Sequence, residues 1–234
     1  MTVYDLIDAT WPAADFHPVG PWIIREGQGG GSRVSAATSK SRVGADEWLM
    51  AEQAMLDLGQ SPIFMIRPGD EGFDTLLAAA GYVIRDPVTA YTAPVFGLAA
   101  LDLTAKTAFR AWPPLAIQAE IWATGGIGPA RLAIMDRVAG PKTSFLGRVR
   151  DLAAGCAFVA CHADQAMLHA LEVLPAHRRQ GLGRHLLVAS ARWAQAQGAQ
   201  TLSLVVTRAN TGANALYTSL GMGVVGQYHY RVRP

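Results

Sequence analysis

Apolar and polar positions along the chain alternate between two periods. Trp22–Glu26 and Arg33–Ala36 read as a strand pair joined by the glycine-rich turn Gly27–Ser32. Asp46–Leu58 carries Trp48, Leu49, Met55 and Leu56 at helical spacing, and Gly59 is a natural stop. Pro62–Ile66 reads as a strand, Phe73–Ala80 as a short helix ended by Gly81, and Tyr82–Thr92 as extended chain. Pro94–Lys106 has weak periodicity and reads as a linker. Beyond it, helical spacing returns at Leu115–Ala123 and Pro129–Val138. Ser144–Arg150 and Leu152–Cys161 form an expected hairpin, and Met167–Leu174 is a further strand closed by Pro175. The strongest helix pattern is Gly181–Gln197. It is followed by the strand Thr201–Val206, the helix Asn210–Leu220 and the strand Gly223–Arg231.

This succession predicts an α/β (α+β) fold, with a mixed central sheet flanked by helices. The two halves echo each other. "LLAAAGYVI" in the first and "LYTSLGMGVV" in the second both run from a short helix through glycine into a strand. Domains at 1–100 and 101–234 are therefore expected.

Composition narrows the function classes. Of 234 residues, half are apolar and 16% charged, which supports a packed core and argues against disorder. A net charge of +2 gives no footprint for a nucleic acid. The opening MTVYDLIDAT lacks a basic n-region and an apolar h-region, so no secretory signal is expected. The longest apolar stretch, Leu152–Cys161, is half of a membrane span, so no membrane partner is expected. Cys156 and Cys161, five apart in one strand, fall on opposite faces and are expected to stay unpaired in a cytoplasmic protein. No Cys or His has partners at metal-ligand spacing, so no metal is expected; His162 beside Cys161 makes no zinc signature.

One stretch departs from this background. "RRQGLGRHLL", Arg178–Leu187, brings glycines and arginines to the start of the strongest helix, directly after a strand. A helix N-terminus offers unpaired N–H groups and a partial positive charge. Gly181 and Gly183 let an anion approach, and Arg178, Arg179 and Arg184 add formal charge, which suits a pyrophosphate. The P-loop lysine and hydroxyl are missing. Leu186 stands where a dinucleotide fingerprint needs its third glycine. A second glycine-rich stretch, "GQGGGSR" at 27–33, is read as a flexible loop.

The pattern that remains is [R/Q]-x-x-G-x-[G/A], with Arg178, Gly181 and Gly183 in the set places. It resembles the acetyl-CoA loop of the GNAT acetyltransferases. "VVTRANTGANALYTSLGM" resembles the second hallmark of that family, through Asn210, Ala213, Leu216, Tyr217, Leu220 and Gly221. The resemblance runs from about Met167 to Val225. The first half resembles the degenerate GNAT-like halves of two-domain members, and it has no counterpart of "RRQGLG".

The resemblance implies a chemistry. Acetyl-CoA as co-substrate would lie between two splayed strands, here Met167–Leu174 and Thr201–Val206. Backbone N–H groups of Arg179, Gln180, Gly181, Leu182, Gly183 and Arg184 would hold its pyrophosphate. Main chain at Leu171 and Val173 would hold the pantetheine and polarise the acetyl carbonyl. Asn210, with Ala213 in the same motif, would bind the cofactor arm. Tyr217 matches the family's acid for the departing thiolate. "LHALEV" resembles the "LHALAV" strand of arylalkylamine acetyltransferases, which makes His169 a candidate base. Glu172 is the other candidate. Strand alternation puts it opposite His169 unless a bulge intervenes. Val205 stands where some protein N-terminal acetyltransferases carry a Glu.

The implied reaction is acetyl transfer to a primary amine of a small molecule or peptide, by a monomer or homodimer. The acceptor is expected in a cleft between the halves, and Trp11, Trp22 and Trp48 are candidates for its lining or for core packing. A non-catalytic acyl-CoA-binding module is the alternative; Tyr217 argues against it, because a pure binder has no use for a thiolate acid.

Overall fold

A computed structural model describes residues 1–41, 43, 44, 46–103 and 107–234. Its centre is an eight-stranded mixed sheet that draws strands from both halves of the chain. In sequence order these are β4 (Ile63–Ile66), β5 (Val83–Pro94), β6 (Ala108–Ala111), β7 (Lys142–Val149), β8 (Leu152–His162), β9 (Gln165–Val173), β10 (Thr201–Thr207) and β11 (Gly223–Val232). Their spatial order is β4-β11-β5-β10-β9-β8-β7-β6. A smaller sheet of β1 (Asp15–Val19), β2 (Trp22–Glu26) and β3 (Thr38–Ser39) abuts β4 through a parallel bridge from Ala37 to Phe64.

The four strands at one end of the sheet relate the halves to each other. β5 lies between β10 and β11, while β11 lies between β5 and β4, all antiparallel. Exchanging the halves maps β4 onto β10 and β5 onto β11, and returns the same order read backwards. The helices preceding these strands match as well: α4 (Glu71–Ala79) before β5, and α9 (Thr211–Ser219) before β11. The echo of "LLAAAGYVI" and "LYTSLGMGVV" is this pair of helix–strand units. The boundary expected near residue 100 thus has sheet hydrogen bonds crossing it on two strands.

Helices cover both faces. On one, α8 (Leu182–Ala196) buries Leu182, Leu186, Leu187 and Ala191 against β7–β9, beside α5 (Val95–Ala99). On the other, α1 (Val3–Thr10), α6 (Ala116–Thr124) and α7 (Pro129–Arg137) surround a core of Trp11, Trp122, Ile134 and Phe158. A third core, with Trp22, Phe64 and Tyr82, fills the first half beside α3 (Trp48–Asp57). Cys156 belongs to one core and Cys161 to another, as their spacing requires, and both thiols are free.

Two local expectations fail. Arg33–Ala36 is not a strand: Ser32–Ser35 forms a helical turn, α2, and β2 pairs instead with β1, reached through Gly20 and Pro21, and with β3. Gln28, Gly29 and Gly31 have φ of 46°, 78° and 95°, which coils the glycine run instead of extending it. Val34 is fully buried, so tertiary packing decides what four residues of local pattern could not. Within the expected linker Pro94–Lys106, Val95–Ala99 is the helix α5; positions 104–106 lie outside the described residues.

Candidate active site

β9 and β10 run parallel and pair from Gln165–Thr201 to Leu168–Leu204, then separate. Beyond that point β9 still pairs with β8 on its other side, so its edge facing β10 is open. A gap of about 150 Å³ lies between the strands, lined by Leu168–Leu171, Leu204–Val206, Asn210, Tyr217 and Arg33.

A bulge interrupts β9 inside this gap. Phe158 pairs with His169 and Cys156 with Glu172, so Ala157 faces both Ala170 and Leu171. Ala170 takes up the extra residue with φ of 50°. The bulge puts His169 and Glu172 on the same face, the condition under which alternation would not separate them.

The connection from β9 to α8 ends in a glycine-led helix start. A 3-10 turn, Pro175–His177, leads to Arg179 with φ of 61° and Gly181 with φ of 82°. Among the described residues no side chain caps α8, so its first N–H groups have no protein acceptor there. The two glycines have different reasons. Gly181 supplies the left-handed turn, whereas a Cβ on Gly183 would lie 3.3 Å from Leu216 of α9. Leu182 anchors the helix start. It is buried against the strand pair Gly147–Gly155, where a Cβ on either glycine would come within 2.8 and 3.1 Å of it. Arg178 turns back to the strand, donating to the Val173 carbonyl at 2.9 Å and to Glu172 at 3.2 Å. Arg184 donates to the Asp102 carbonyl at 2.9 Å.

Tyr217 projects from α9 into the gap and is 5% exposed. Burial pushes its phenol up to about 12, so it stays protonated through the working range. Asn210 lines the same gap and caps α9, its Oδ1 accepting from the Ala213 N–H at 3.1 Å. That bond occupies the Ala213 amide and leaves the Asn210 amide nitrogen as the group turned to other uses.

His169 is fully engaged. Thr10 Oγ1 donates to the Leu6 carbonyl at 2.6 Å and so accepts from His169 Nε2 at 2.9 Å. Arg33 Nη1 donates to Nδ1 at 3.2 Å. Both ring nitrogens are used, the ring is neutral, and it stacks on Trp11 with centroids 4.9 Å apart. Burial first, and then the Arg33 charge, hold its pKa well below 6.5. A histidine in this state positions Arg33 and has no lone pair to offer an incoming ammonium. Glu172 pairs with Arg178 and lines neither the gap nor the larger cleft beside it.

That cleft, of about 300 Å³, adjoins the gap and shares Arg33, Ala170, Val205, Val206 and Asn210 with it. Its other walls come from both halves, including Trp11, Gly30, Asp86, Arg131 and Tyr228. Of the tryptophans weighed from sequence, Trp11 lines the cleft while Trp22 and Trp48 pack in the core of the first half. The loop "GQGGGSR" contributes Gly30, Ser32 and Arg33. Its glycines are a packing requirement: a Cβ on Gly30 would meet Ile134 of α7. Arg33, Asp86 and Arg131 escaped the sequence analysis. The one available signal was an arginine ending a glycine run too rigidly patterned for a loose loop. Among the described residues no cluster of His, Cys, Asp or Glu could hold a metal ion, and no helix is long and apolar enough to cross a membrane.

The chain can be set beside known proteins. Residues 105–222 match the model of the Acetyltransferase (GNAT) family. An uncharacterized N-acetyltransferase, YobR of Bacillus subtilis, is 25% identical over 237 residues, covering 97% of this chain and 96% of that one. A [ribosomal protein bS18]-alanine N-acetyltransferase of Haemophilus ducreyi is 41% identical over 71 residues, 30% of this chain and 49% of that one. Among solved structures, a GCN5-related N-acetyltransferase from Kribbella flavida superposes with a TM-score of 0.75 at 16% identity, covering 99% of this chain and 94% of that one. A protein of unknown function from Staphylococcus epidermidis gives 0.74 at 12% identity, with 97% and 96% covered. The splayed strands, the uncapped glycine-led helix and the family match over half of the chain agree: this chain belongs to the GNAT acetyltransferase family and is an acyltransferase.

Proposed function

We propose that the protein transfers an acetyl group from acetyl-CoA to a primary amine of a small molecule or peptide. The observation that carries this reading is the junction of the β9–β10 gap with the N-terminus of α8. One end offers N–H groups for a pyrophosphate, and the other leads past Tyr217 into the cleft. Acetyl-CoA supplies the thioester. The N–H groups of residues 179–184 hold its phosphates, and the open edge of β9 at Leu171 and Val173 binds the pantetheine. The amide nitrogen of Asn210 faces the same arm.

The amine enters from the cleft, its nitrogen bonds to the acetyl carbon, and the thioester C–S bond breaks. Tyr217 donates to the sulfur that leaves. Asp86 is the only carboxylate among the described residues lining the cleft, and it meets the ammonium on arrival. Water in the open cleft takes one proton from the ammonium before attack and relays the second, lost after attack, to the phenolate left on Tyr217; His169 is held between Thr10 and Arg33, and Glu172 lines neither the gap nor the cleft.

Calorimetric titration with acetyl-CoA, beside a Gly181→Glu variant, tests this reading. Micromolar binding lost in the variant supports it. No binding by the unmodified protein overturns it.

A further inference from the structure

The cleft carries more positive charge than its own carboxylate balances. Arg33 and Arg131 both line it, against Asp86 alone among the described residues. Neither arginine forms an ion pair with a carboxylate among the described residues. Arg33 spends one N–H on His169, its guanidinium carbon lies 5.8 Å from the centroid of the Trp11 ring, and its buried Nε has no partner. Arg131 reaches only the carbonyls of Gly30 and Gly126, at 3.4 and 3.3 Å. A guanidinium has five donors in a planar fork that matches a carboxylate, and a buried N–H left unmade is costly. Two such forks on one cleft therefore describe a binding site for an anion.

The position of Arg33 sets where that anion lies on the acceptor. Arg33 lines the gap between the strands as well as the cleft. Its donors stand beside the place where the thioester is attacked, so the anion and the nucleophilic nitrogen must be a few bonds apart. A carboxylate at the far end of a long acceptor would reach the cleft without meeting Arg33. We infer that the acceptor is a free α-amino acid, held by its carboxylate on Arg33 and Arg131 with its amine turned towards the gap. This inference rests on the acetyl-transfer reading above and narrows it. It excludes peptide amino termini, which carry no carboxylate next to the amine. His169 enters as a positioning residue: stacked on Trp11 and bonded to Thr10, it fixes the guanidinium from behind.

The test compares matched acceptors. Release of the CoA thiol is followed for a panel of free α-amino acids, each beside its carboxamide and its decarboxylated amine. The carboxamide has the less basic amine and is the more available nucleophile near neutrality, so a preference for the acid reads the charge. The acids should exceed both analogues in kcat/KM by at least about 100-fold. In Arg33→Gln that ratio should fall to within about fivefold, and in Arg131→Gln by an intermediate amount. Arg131 makes no bond to the buried His169, so its variant keeps the test open if Arg33→Gln fails to fold. Carboxamides used as well as acids, a preference that survives both substitutions, or no turnover of any acid by a protein that binds acetyl-CoA would each overturn the inference. Loss of acetyl-CoA binding by the unmodified protein would instead overturn the reading on which it rests.

Discussion

The indole Nε1 of Trp122 donates to the carbonyl of Ala170 at 2.7 Å, and through that bond α6 holds the bulge of β9 in place. Ala170 lines both the gap and the cleft, with φ of 50°. The geometry of the open strand edge therefore depends on a side chain 48 residues away. Trp122→Phe removes the donor and leaves a half-buried carbonyl unpaired, a loss of about 1 kcal/mol in stability. Ala170→Val, a β-branched residue forced to positive φ, should cost about 1–3 kcal/mol. Both variants should lower kcat/KM for the acceptor more than they weaken acetyl-CoA binding, as read by calorimetry beside steady-state kinetics.

His169 predicts how stability responds to acid. Its pKa is held below 6.5 in the folded chain, so it stays neutral there while the unfolded chain takes up a proton. Stability from this group is constant above 6.5 and falls as pH drops below it, by up to about 1.4 kcal/mol per pH unit. Thermal melts between pH 7 and 5 should therefore fall more steeply for the unmodified protein than for His169→Gln. Equal slopes would show that the histidine does not couple to folding.

Tyr217 should set no alkaline limit on the rate. With its phenol near 12, kcat should not fall between pH 8 and 10 through its ionisation. Tyr217→Phe should lower kcat by about 100-fold or more and leave acetyl-CoA affinity nearly unchanged. A variant as fast as the parent would remove the tyrosine from the chemistry.

The glycine pair under Leu182 predicts a distant effect on the start of α8. A Cβ on Gly155 would lie 2.6 Å from the Glu172 carbonyl and 3.1 Å from Leu182. Gly155→Ala should push the end of β9 and the start of α8 away from β8, costing about 1–3 kcal/mol and weakening acetyl-CoA binding without touching the ligand. Unchanged affinity in a titration would mean that the helix start is positioned from elsewhere.

The two thiols should be silent in the native protein. Burial raises Cys161 to about 11, and burial with the nearby Glu172 charge raises Cys156 further. A thiol reagent should label neither residue until the chain is unfolded. The colour developed in a CoA-release assay then comes from CoA alone; rapid native labelling would contradict the burial.

Most of the second half was legible in the sequence because its elements are long and sharply bounded. Gly181, Gly198 and Gly221 punctuate it, and the hairpin of β7 and β8 announces itself through apolar runs. The loop and Tyr217 could be placed for the same reason. The first half was harder to read. Ser32–Ser35 is too short for a period to show, and its form depends on Val34 entering a core built by α6 and α7. α1 had a readable start in the capping box of Thr2 and Asp5, which the pattern analysis passed over. A cleft between the halves was expected and Trp11 weighed for its lining, but its charged walls could not be read, because Arg33, Asp86 and Arg131 meet only through the sheet order. Likewise the bonds of His169 to Thr10 and Arg33, and of Glu172 to Arg178, could not be read, because those partners lie on other elements.

The interleaving of β5 and β11 imposes an order on the birth of the molecule. As the chain leaves the ribosome, β5 emerges long before β10 and β11, its two neighbours, have been made. Through that interval it is a nascent strand with both edges bare, the kind of segment that templates aggregation. Its start carries Arg85, Asp86 and Pro87, two charges and a residue without an N–H, which are the usual protections for such a strand. Asp86 later becomes part of the cleft wall, opposite Tyr228 and Tyr230 of β11. A chain interrupted before β11 would lack the strand that joins β4 to β5, so β11 must be made before the cleft has its walls.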